Sequence, residues 1–538
     1  MIRSHFAIKL SGPAGAGMMQ AGETLSKALN RLGFYTLMYP EYPSRIRGGD
    51  NNVLLVFSSD KYLAPVEKND LLLAFGKENF KRHESEGGKG FEGEEIGLTK
   101  IAKELGNPLV ASTAGLGFIF KVLGFDLSVL EEQIKEEFQT KEEILRLNLE
   151  AAKKGYKLGV LGDFKDLGVF NKRRKIINYS GNEALVEGIL KADCGFAAIY
   201  PMTPINSILA MLTKSKVEVF RPEDEIAGMM AAIGAAYAGK RAMVATSGGG
   251  FSLMIEGLGM AGMAEIPMVV VLGQRTGPST GMATFSSQSD LNFAIYGGHG
   301  EFPRIVLAPG DLKEAYFLGQ EAFNLAERYQ VPVILLTDKY LAESRFAEDK
   351  EEFAKIKISI DRGKLLKKGE ELDYQRYQFT KDGISPRAFP GQAAFLTNSY
   401  EHDEFGFSSD EIENRKKMME KRAKKLNGLS GGYERFKGDK GWEEGITLVG
   451  WGSTKEIILN FLKNHREFNY LHISRPWPFP QEAQGILRKS KRIVCIEGNF
   501  SGQLADIIEK LIFRKVERIL KDDGRPFFNR ELEDKLLE

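Results

Sequence analysis

Between Tyr200 and Thr284 successive apolar runs end on polar or glycine-rich turns, and that repetition constrains the fold more than any other feature. A strand through Ala197-Ala198-Ile199 meets Tyr200-Pro201-Met202-Thr203-Pro204. A second leads to Arg221-Pro222-Glu223-Asp224-Glu225 and a small-residue helix expected from Ile226 to Ala238. The strand from Ala242 to Thr246 runs into Ser247-Gly248-Gly249-Gly250, read as a loop. The strand from Met268 to Leu272 runs into Gly273-Gln274-Arg275-Thr276-Gly277-Pro278-Ser279-Thr280-Gly281. Strands alternating with helices of roughly 10–15 residues imply βαβ units and a parallel sheet. Ligands of such sheets sit at the carboxyl ends of the strands, so chemistry is expected in these turns.

The rest of the chain frames this segment. At 538 residues it exceeds what one core fills, and about three domains are expected. A net charge of +1 gives no electrostatic case for nucleic acid or a membrane surface as partner. No apolar run reaches the ~20 residues of a membrane-spanning helix. Met1-Ile2-Arg3-Ser4-His5 leads into a strand, without a signal-peptide cleavage site, so a cytoplasmic location is expected. Cys194 and Cys495 lie in apolar strand-like surroundings and read as buried free thiols of a reducing compartment. Two cysteines fall short of the roughly four thiolates an iron–sulfur cluster takes. The six histidines show no paired ligand spacing, so no metal centre is expected in this chain.

Residues 1–170 read as a first α/β domain. A strand from Phe6 to Leu10 enters Ser11-Gly12-Pro13-Ala14-Gly15-Ala16-Gly17 ahead of a helix, a geometry that offers backbone N–H groups to an anion. The third glycine of a dinucleotide fingerprint is missing, and close strand–helix packing explains the loop equally well. Arg45 and Arg47 precede a glycine turn, and residues 81–95 read as an exposed charged loop. A basic break at 171–175 reads as a solvated linker. Methionines 229, 230, 243, 254, 260, 263 and 268 read as core between close helices. Residues 346–440 are charged and weakly periodic: a connecting region with a rigid Gly383–Gly391 loop and a Glu401-His402-Asp403-Glu404 loop at the surface. A basic helix from Asp410 to Leu426 is expected to carry its charge mostly on a solvated face. From 441 to 538 a smaller α/β pattern returns, with Arg475-Pro476-Trp477-Pro478-Phe479-Pro480 and Glu497-Gly498-Asn499-Phe500-Ser501-Gly502-Gln503 at strand ends.

The YPMTP, RPEDE, QRTGPSTG, GISPRAFPG, EHDE and EGNFSGQ segments, in this order, resemble the alpha subunit of 2-oxoacid:ferredoxin oxidoreductases. The SGPAGAGMM and YPSRIRGGDNN segments resemble their gamma domain, fused ahead of alpha as in 2-oxoglutarate enzymes. The resemblance implies three α/β domains: a gamma-type domain at 1–170, a thiamine diphosphate pyrimidine-binding domain at 178–345 and, after the connecting region, a transketolase C-terminal-like domain at 441–538. It implies decarboxylation of a 2-oxoacid on thiamine diphosphate, transfer of the acyl group to coenzyme A, and electrons passed through [4Fe-4S] to ferredoxin. The family's beta subunit carries the diphosphate–magnesium motif and the cluster, so this chain is expected to need that partner.

On that resemblance, Glu225 is the carboxylate that holds the cofactor's aminopyrimidine, with Tyr200, Pro201 and Gly249 beside it. Capping of the following helix is the structural alternative for Glu225, and Glu223 is its neighbouring competitor. Thr203 and Arg275 match the substrate-binding pair; a planar guanidinium suits a carboxylate, and a structural salt bridge is the alternative for Arg275. Two other functions remain open: a self-contained, non-redox thiamine diphosphate lyase or transferase, and a non-catalytic nucleotide-binding or assembly subunit. The first would need both halves of the cofactor site in one chain; the second leaves Thr203, Glu225 and Arg275 without a role.

Overall fold

The computed structural model describes residues 5–43, 49–162, 174–357 and 359–537, so Arg45, Arg47 and most of the basic break lie outside the described residues. The middle of the chain builds a sheet of six described strands, all parallel. Their order is Ile305–Leu307, Pro332–Asp338, Met268–Gln274, Ala242–Ser247, Phe196–Ile199 and Glu218–Phe220. The strands Ala242–Ser247, Met268–Gln274 and Pro332–Asp338 are buried at every residue, as strands covered by helices on both faces must be. The chain steps from Phe196–Ile199 outward to Glu218–Phe220, then returns to the other side at Ala242–Ser247. The order therefore reverses around Phe196–Ile199, and the carboxyl ends of these strands form the topological switch point.

Small residues bring the covering helices close. A Cβ on Gly257 of helix Gly248–Met263 would lie 2.7 Å from the Met229 side chain on helix Glu225–Tyr237. Met229, Met243, Met254 and Met268 are core; Met230, by contrast, is 39% exposed.

The first sheet is mixed. Its strands run in the order Lys89–Glu92, Leu71–Ala74, Phe6–Pro13, Asp50–Ser58, Tyr35–Glu41, Arg345–Asp349 and Ile176–Ser180. The last two come from either end of the middle segment and add antiparallel to Tyr35–Glu41 and to each other. Sheet and sequence thus divide differently, because the edge of one domain is finished by the neighbour's flanking strands. The 81–95 stretch is mostly exposed, as its charge suggests, but it is not a plain loop. It holds the end of helix Lys77–His83 and the strand Lys89–Glu92, and His83 is buried between two carboxylates, Asp50 at 2.7 Å and Glu86 at 2.6 Å. His83 and Glu86 turn inward while most of the other charges stay exposed, so the charge count hid the few that pair.

The third sheet has four parallel strands, Phe468–Ile473, Ile446–Trp451, Arg492–Glu497 and Glu517–Leu520, edged by antiparallel Tyr433–Phe436. Cys194 and Cys495 are buried and free. Among the described residues no helix is long and apolar enough to cross a membrane.

One expectation about the connecting region is corrected and a second is narrowed. His402 is not in a surface loop: it is fully buried, its ring 3.8 Å from that of Tyr377. On helix Ile412–Lys424 and just past it most charged side chains are exposed as expected, but Lys421, Arg422 and Lys425 are buried. Lys421 and Lys425 meet Glu265 at 2.6 and 2.7 Å, and Arg422 meets Glu401 at 2.7 Å. Each charge has a buried or half-buried carboxylate partner contributed from elsewhere in the chain, which a charge count along the sequence cannot show.

Where the domains meet, Lys455 is buried among Asp311 (2.7 Å), Glu314 (2.9 Å) and Glu434 (3.1 Å). Next to it, burial, with Asp311 and Glu348 adding, pushes the Glu456 carboxyl up to about 8. The folded protein holds that proton to about pH 8, whereas an unfolded glutamate releases it near pH ~4.3. Stability contributed by the neutral form is therefore present at pH 4 and lost as pH rises towards 8. Glu456→Gln is expected to raise the melting temperature at pH 9 and leave it nearly unchanged at pH 5; equal shifts at both values would contradict the assignment.

Candidate functional site

The turns at the switch point come together. Arg275 follows the strand Met268–Gln274, and its Nη1 donates to the Thr203 carbonyl at 3.2 Å, spanning the intervening strand end. Thr203 sits in a turn whose Thr203–Pro204 peptide is cis. That turn packs on the strand backbone: a Cβ on Gly273 would lie 2.8 Å from Ile205 and 3.0 Å from Pro204. Buried Asn182 braces it from behind, donating to the Pro204 carbonyl at 2.9 Å and to Ser207 at 2.8 Å. Thr203 and Arg275 are both half-buried, with room to face a ligand. Arg275 makes no ion pair among the described residues; the carboxylate that acts on it is Asp290, through its field rather than a direct contact.

Glu225 opens helix Glu225–Tyr237 but does not cap it. Asp224 does, its side chain accepting from the Ala227 N–H at 2.8 Å. Glu225 is buried, Glu223 exposed. The Glu225 carboxylate has no hydrogen-bond or ion-pair partner among the described residues. It lies against Gly250, where a Cβ would be 2.5 Å from Glu225 Oε1 and 2.1 Å from Thr246 Oγ1. Glycine is required there so that the carboxylate can approach the backbone. The Ser247–Gly250 stretch is not the expected loop: Ser247 precedes the helix, and the glycines form its first turn. Gly249 is exposed on that turn, and Tyr200 and Pro201 are exposed at the opposite rim.

Three contributors escaped the sequence reading. The Ser247 hydroxyl is fully buried without a partner. Asn182 lies on a helix remote in sequence from the turn it braces. Asp290 leans on the start of helix Gly248–Met263, where a Cβ on Gly248 would lie 2.9 Å from its Oδ2. Burial pushes the Asp290 carboxyl up to about 6, against the pull of Arg275. Its backbone N–H donates to Gln274 at 3.0 Å.

The third domain holds the loop that presents Asp290. Gln288 donates to the Trp451 carbonyl at 2.9 Å and accepts from the Gly498 N–H at 2.8 Å. Gln503 donates to the Ser289 carbonyl at 2.7 Å. Glu497 is spent inside its own domain, accepting from the Leu504 and Ala505 N–H groups at 2.9 and 3.0 Å. The EGNFSGQ segment is thus a clamp on the site's outer loop.

Apolar side chains stand exposed around the opening: Tyr200 39%, Phe220 40%, Ile226 53%, Met230 39% and Leu253 50%. Ile226 and Met230 are four residues apart and share one helix face.

Known proteins resemble the chain over nearly its whole length. Residues 187–421 match the family model described as pyruvate flavodoxin/ferredoxin oxidoreductase, thiamine diP-bdg. Residues 7–91 and 87–158 match pyruvate ferredoxin/flavodoxin oxidoreductase. The chain is 33% identical to a 2-oxoacid:ferredoxin oxidoreductase subunit alpha of Sulfolobus sp, covering 98% of this chain and 96% of the relative. It is 35% identical to the 2-oxoglutarate synthase subunit KorA of Methanothermobacter thermautotrophicus, over 60% of this chain and 88% of that one. A solved structure, 2-oxoglutarate:ferredoxin oxidoreductase from Magnetococcus marinus with 2-oxoglutarate, coenzyme A and succinyl-CoA bound, superposes with a TM-score of 0.90 at 29% identity over 99% of both chains.

Proposed function

Because the chain belongs to the 2-oxoacid:ferredoxin oxidoreductases, as a subunit of alpha type, we propose that its switch-point crevice is one half of a thiamine diphosphate site. The residues present suit that cofactor. A buried carboxylate without a partner, Glu225, faces the crevice, and its position over Gly250 leaves its outer lone pairs for an aminopyrimidine. This orphaned carboxylate is the observation that carries the reading. Bound thiamine diphosphate supplies the carbon nucleophile that makes decarboxylation of a 2-oxoacid accessible. Glu225 keeps a proton exchangeable at the pyrimidine ring, while Tyr200, Pro201 and Gly249 flank it from the two rims.

Arg275 binds the carboxylate of the 2-oxoacid, and Thr203 donates its hydroxyl beside it; the mutual contact at the Thr203 carbonyl holds the pair in register. We assign 2-oxoglutarate as the favoured substrate, in keeping with the ligand of the Magnetococcus structure. Coenzyme A would enter along a cleft of about 770 Å³ between Asp50 and His83 of the first domain and the Gly281–Phe285 loop. A beta-type subunit covers the apolar rim, contributes magnesium and the diphosphate site, and carries the [4Fe-4S] cluster that reduces ferredoxin. Buried free cysteines support a reducing, cytoplasmic setting.

The chain expressed alone is expected to bind no iron and to show no turnover with 2-oxoglutarate. Co-expressed with its beta-type partner it is expected to give a brown complex that reduces ferredoxin in a coenzyme A-dependent reaction. Thiamine-dependent turnover by the colourless single chain would favour the self-contained lyase and overturn this reading.

A further inference from the structure

The loop ahead of strand Ile305–Leu307, the end of the connecting region and the turn after strand Phe468–Ile473 enclose a groove of about 620 Å³. That is the size of a small-molecule site. The groove abuts the amino-terminal end of Ile305–Leu307, whereas the candidate site lies at the carboxyl ends of the same parallel sheet. Its walls are largely apolar. Phe302 comes from the middle domain, Met419, Leu426 and Leu429 from the connecting region, and Trp477 and Phe479 from the third domain. All six are half-buried.

Three guanidinium groups line this groove, and their bonding differs. Arg422 pairs with Glu401 at 2.7 Å. Arg475 donates from all three nitrogens, to the Pro478, Ser430 and Leu429 carbonyls at 3.0, 2.8 and 3.1 Å. Arg304 is 4% exposed and uses Nη1 alone, donating to the Ala294 carbonyl at 3.4 Å and to the Gly297 carbonyl. Its Nε and Nη2 donate no hydrogen bond among the described residues, and neither is fully buried. Those two nitrogens are an edge of the guanidinium that grips a carboxylate through two parallel bonds. Phe302 covers one face of the group, its ring centre 4.0 Å from Arg304 Cζ. Burial pushes Arg304 down to about 10 and no carboxylate acts on it, so it stays charged at neutral pH. Glu301 and Glu482 stand exposed at the rim, and neither pairs with it. A buried cation without a counter-charge is costly, and a carboxylate in the groove would relieve that cost where a water would not.

We propose that this groove binds an aromatic monocarboxylate of the arylacetate class, its carboxylate held side-on by Arg304 Nε and Nη2 and its ring against Trp477 and Phe479. Aromatic walls favour a flat apolar body over an aliphatic one through ring-on-ring contacts. A second charge on the ligand would be set against Leu426 and Leu429 without a partner, so dicarboxylates are disfavoured. The site is distinct from the crevice. Helix Leu291–Tyr296 lies between them, with Asp290 just before its first residue and Arg304 bonded to carbonyls at its far end. Binding in the groove therefore does not compete with the 2-oxoacid.

The probe is 4-bromophenylacetate. Calorimetric titration into the assembled enzyme is expected to give saturable binding with a Kd of about 1 mM or below, unchanged by saturating 2-oxoglutarate. Soaked crystals are expected to show the bromine as an anomalous peak in the groove. The uncharged analogue 4-bromophenylacetamide should bind at least ~10-fold more weakly, as should 4-bromophenylacetate to Arg304→Lys, which keeps the charge but lacks the fork. Should Arg304→Lys not fold, Ala423→Trp is the second variant: Ala423 is an exposed helix residue lining the groove, so the added ring is expected to fill the space and abolish binding without unfolding the chain. Absence of saturable binding, displacement by 2-oxoglutarate, equal affinity for the amide, or binding that Ala423→Trp leaves unchanged would each overturn the proposal.

Discussion

In the assembled enzyme, Glu225→Gln is expected to lower kcat by at least ~10²-fold, the lower range for a lost acid–base group. Glutamine keeps the size and reach of the side chain, so it fits against Gly250 and Thr246 as glutamate does. What it loses is the ability to accept and return a proton. The change removes no hydrogen bond within the chain, because the Glu225 carboxylate makes none among the described residues. The variant should therefore melt near the wild-type temperature. A loss of kcat with melting temperature preserved separates a chemical role from a structural one. Asp224 already caps the helix and Glu223 is exposed, so neither can stand in. Near-normal kcat would remove Glu225 from the chemistry.

The parts of the fold legible in the sequence were those set by local repetition. Apolar runs ending on Tyr200-Pro201-Met202-Thr203-Pro204 and on Gly273-Gln274-Arg275 gave strands and turns where the structure has them. A parallel sheet followed from their alternation with helices, and the matching relatives agree with the family inferred from the motifs. What was not legible depends on partners distant in sequence. His83 and His402 are surrounded by charged neighbours along the chain, yet both are buried by residues from other segments. Lys421 and Lys425 look like a solvated face until Glu265, more than 150 residues earlier, is placed between them. Asp290 follows a run of serines with no periodicity, and only the clamp from Gly498 and Gln503 brings it to the crevice. The three glycines after Ser247 read as a loop because glycine is a poor helix former; the close approach of Glu225 explains one of them, Gly250, in a helical turn.

Arg275→Ala is expected to lower kcat/KM for the 2-oxoacid by roughly 30- to several-thousand-fold, the range for removing one partner of a desolvated charged pair, about 2–5 kcal/mol. Within the chain Arg275 donates a single hydrogen bond, 3.2 Å long, to a neutral carbonyl, so most of its hydrogen-bonding capacity is unused. Burial holds its guanidinium below the usual arginine range, with Asp290 opposing. Arg275→Lys should recover only part of the loss, because an ammonium cannot form the two parallel bonds of a guanidinium–carboxylate fork. Thr203→Val should lose about fivefold, near the ~1 kcal/mol of one neutral hydrogen bond. A structural arginine would behave otherwise: its removal would lower the melting temperature and leave substrate kinetics alone. Melting temperature and 2-oxoacid kinetics, measured on the same reconstituted complexes, decide between the two. An Arg275→Ala enzyme that is less stable but has wild-type kcat/KM would refute the substrate role.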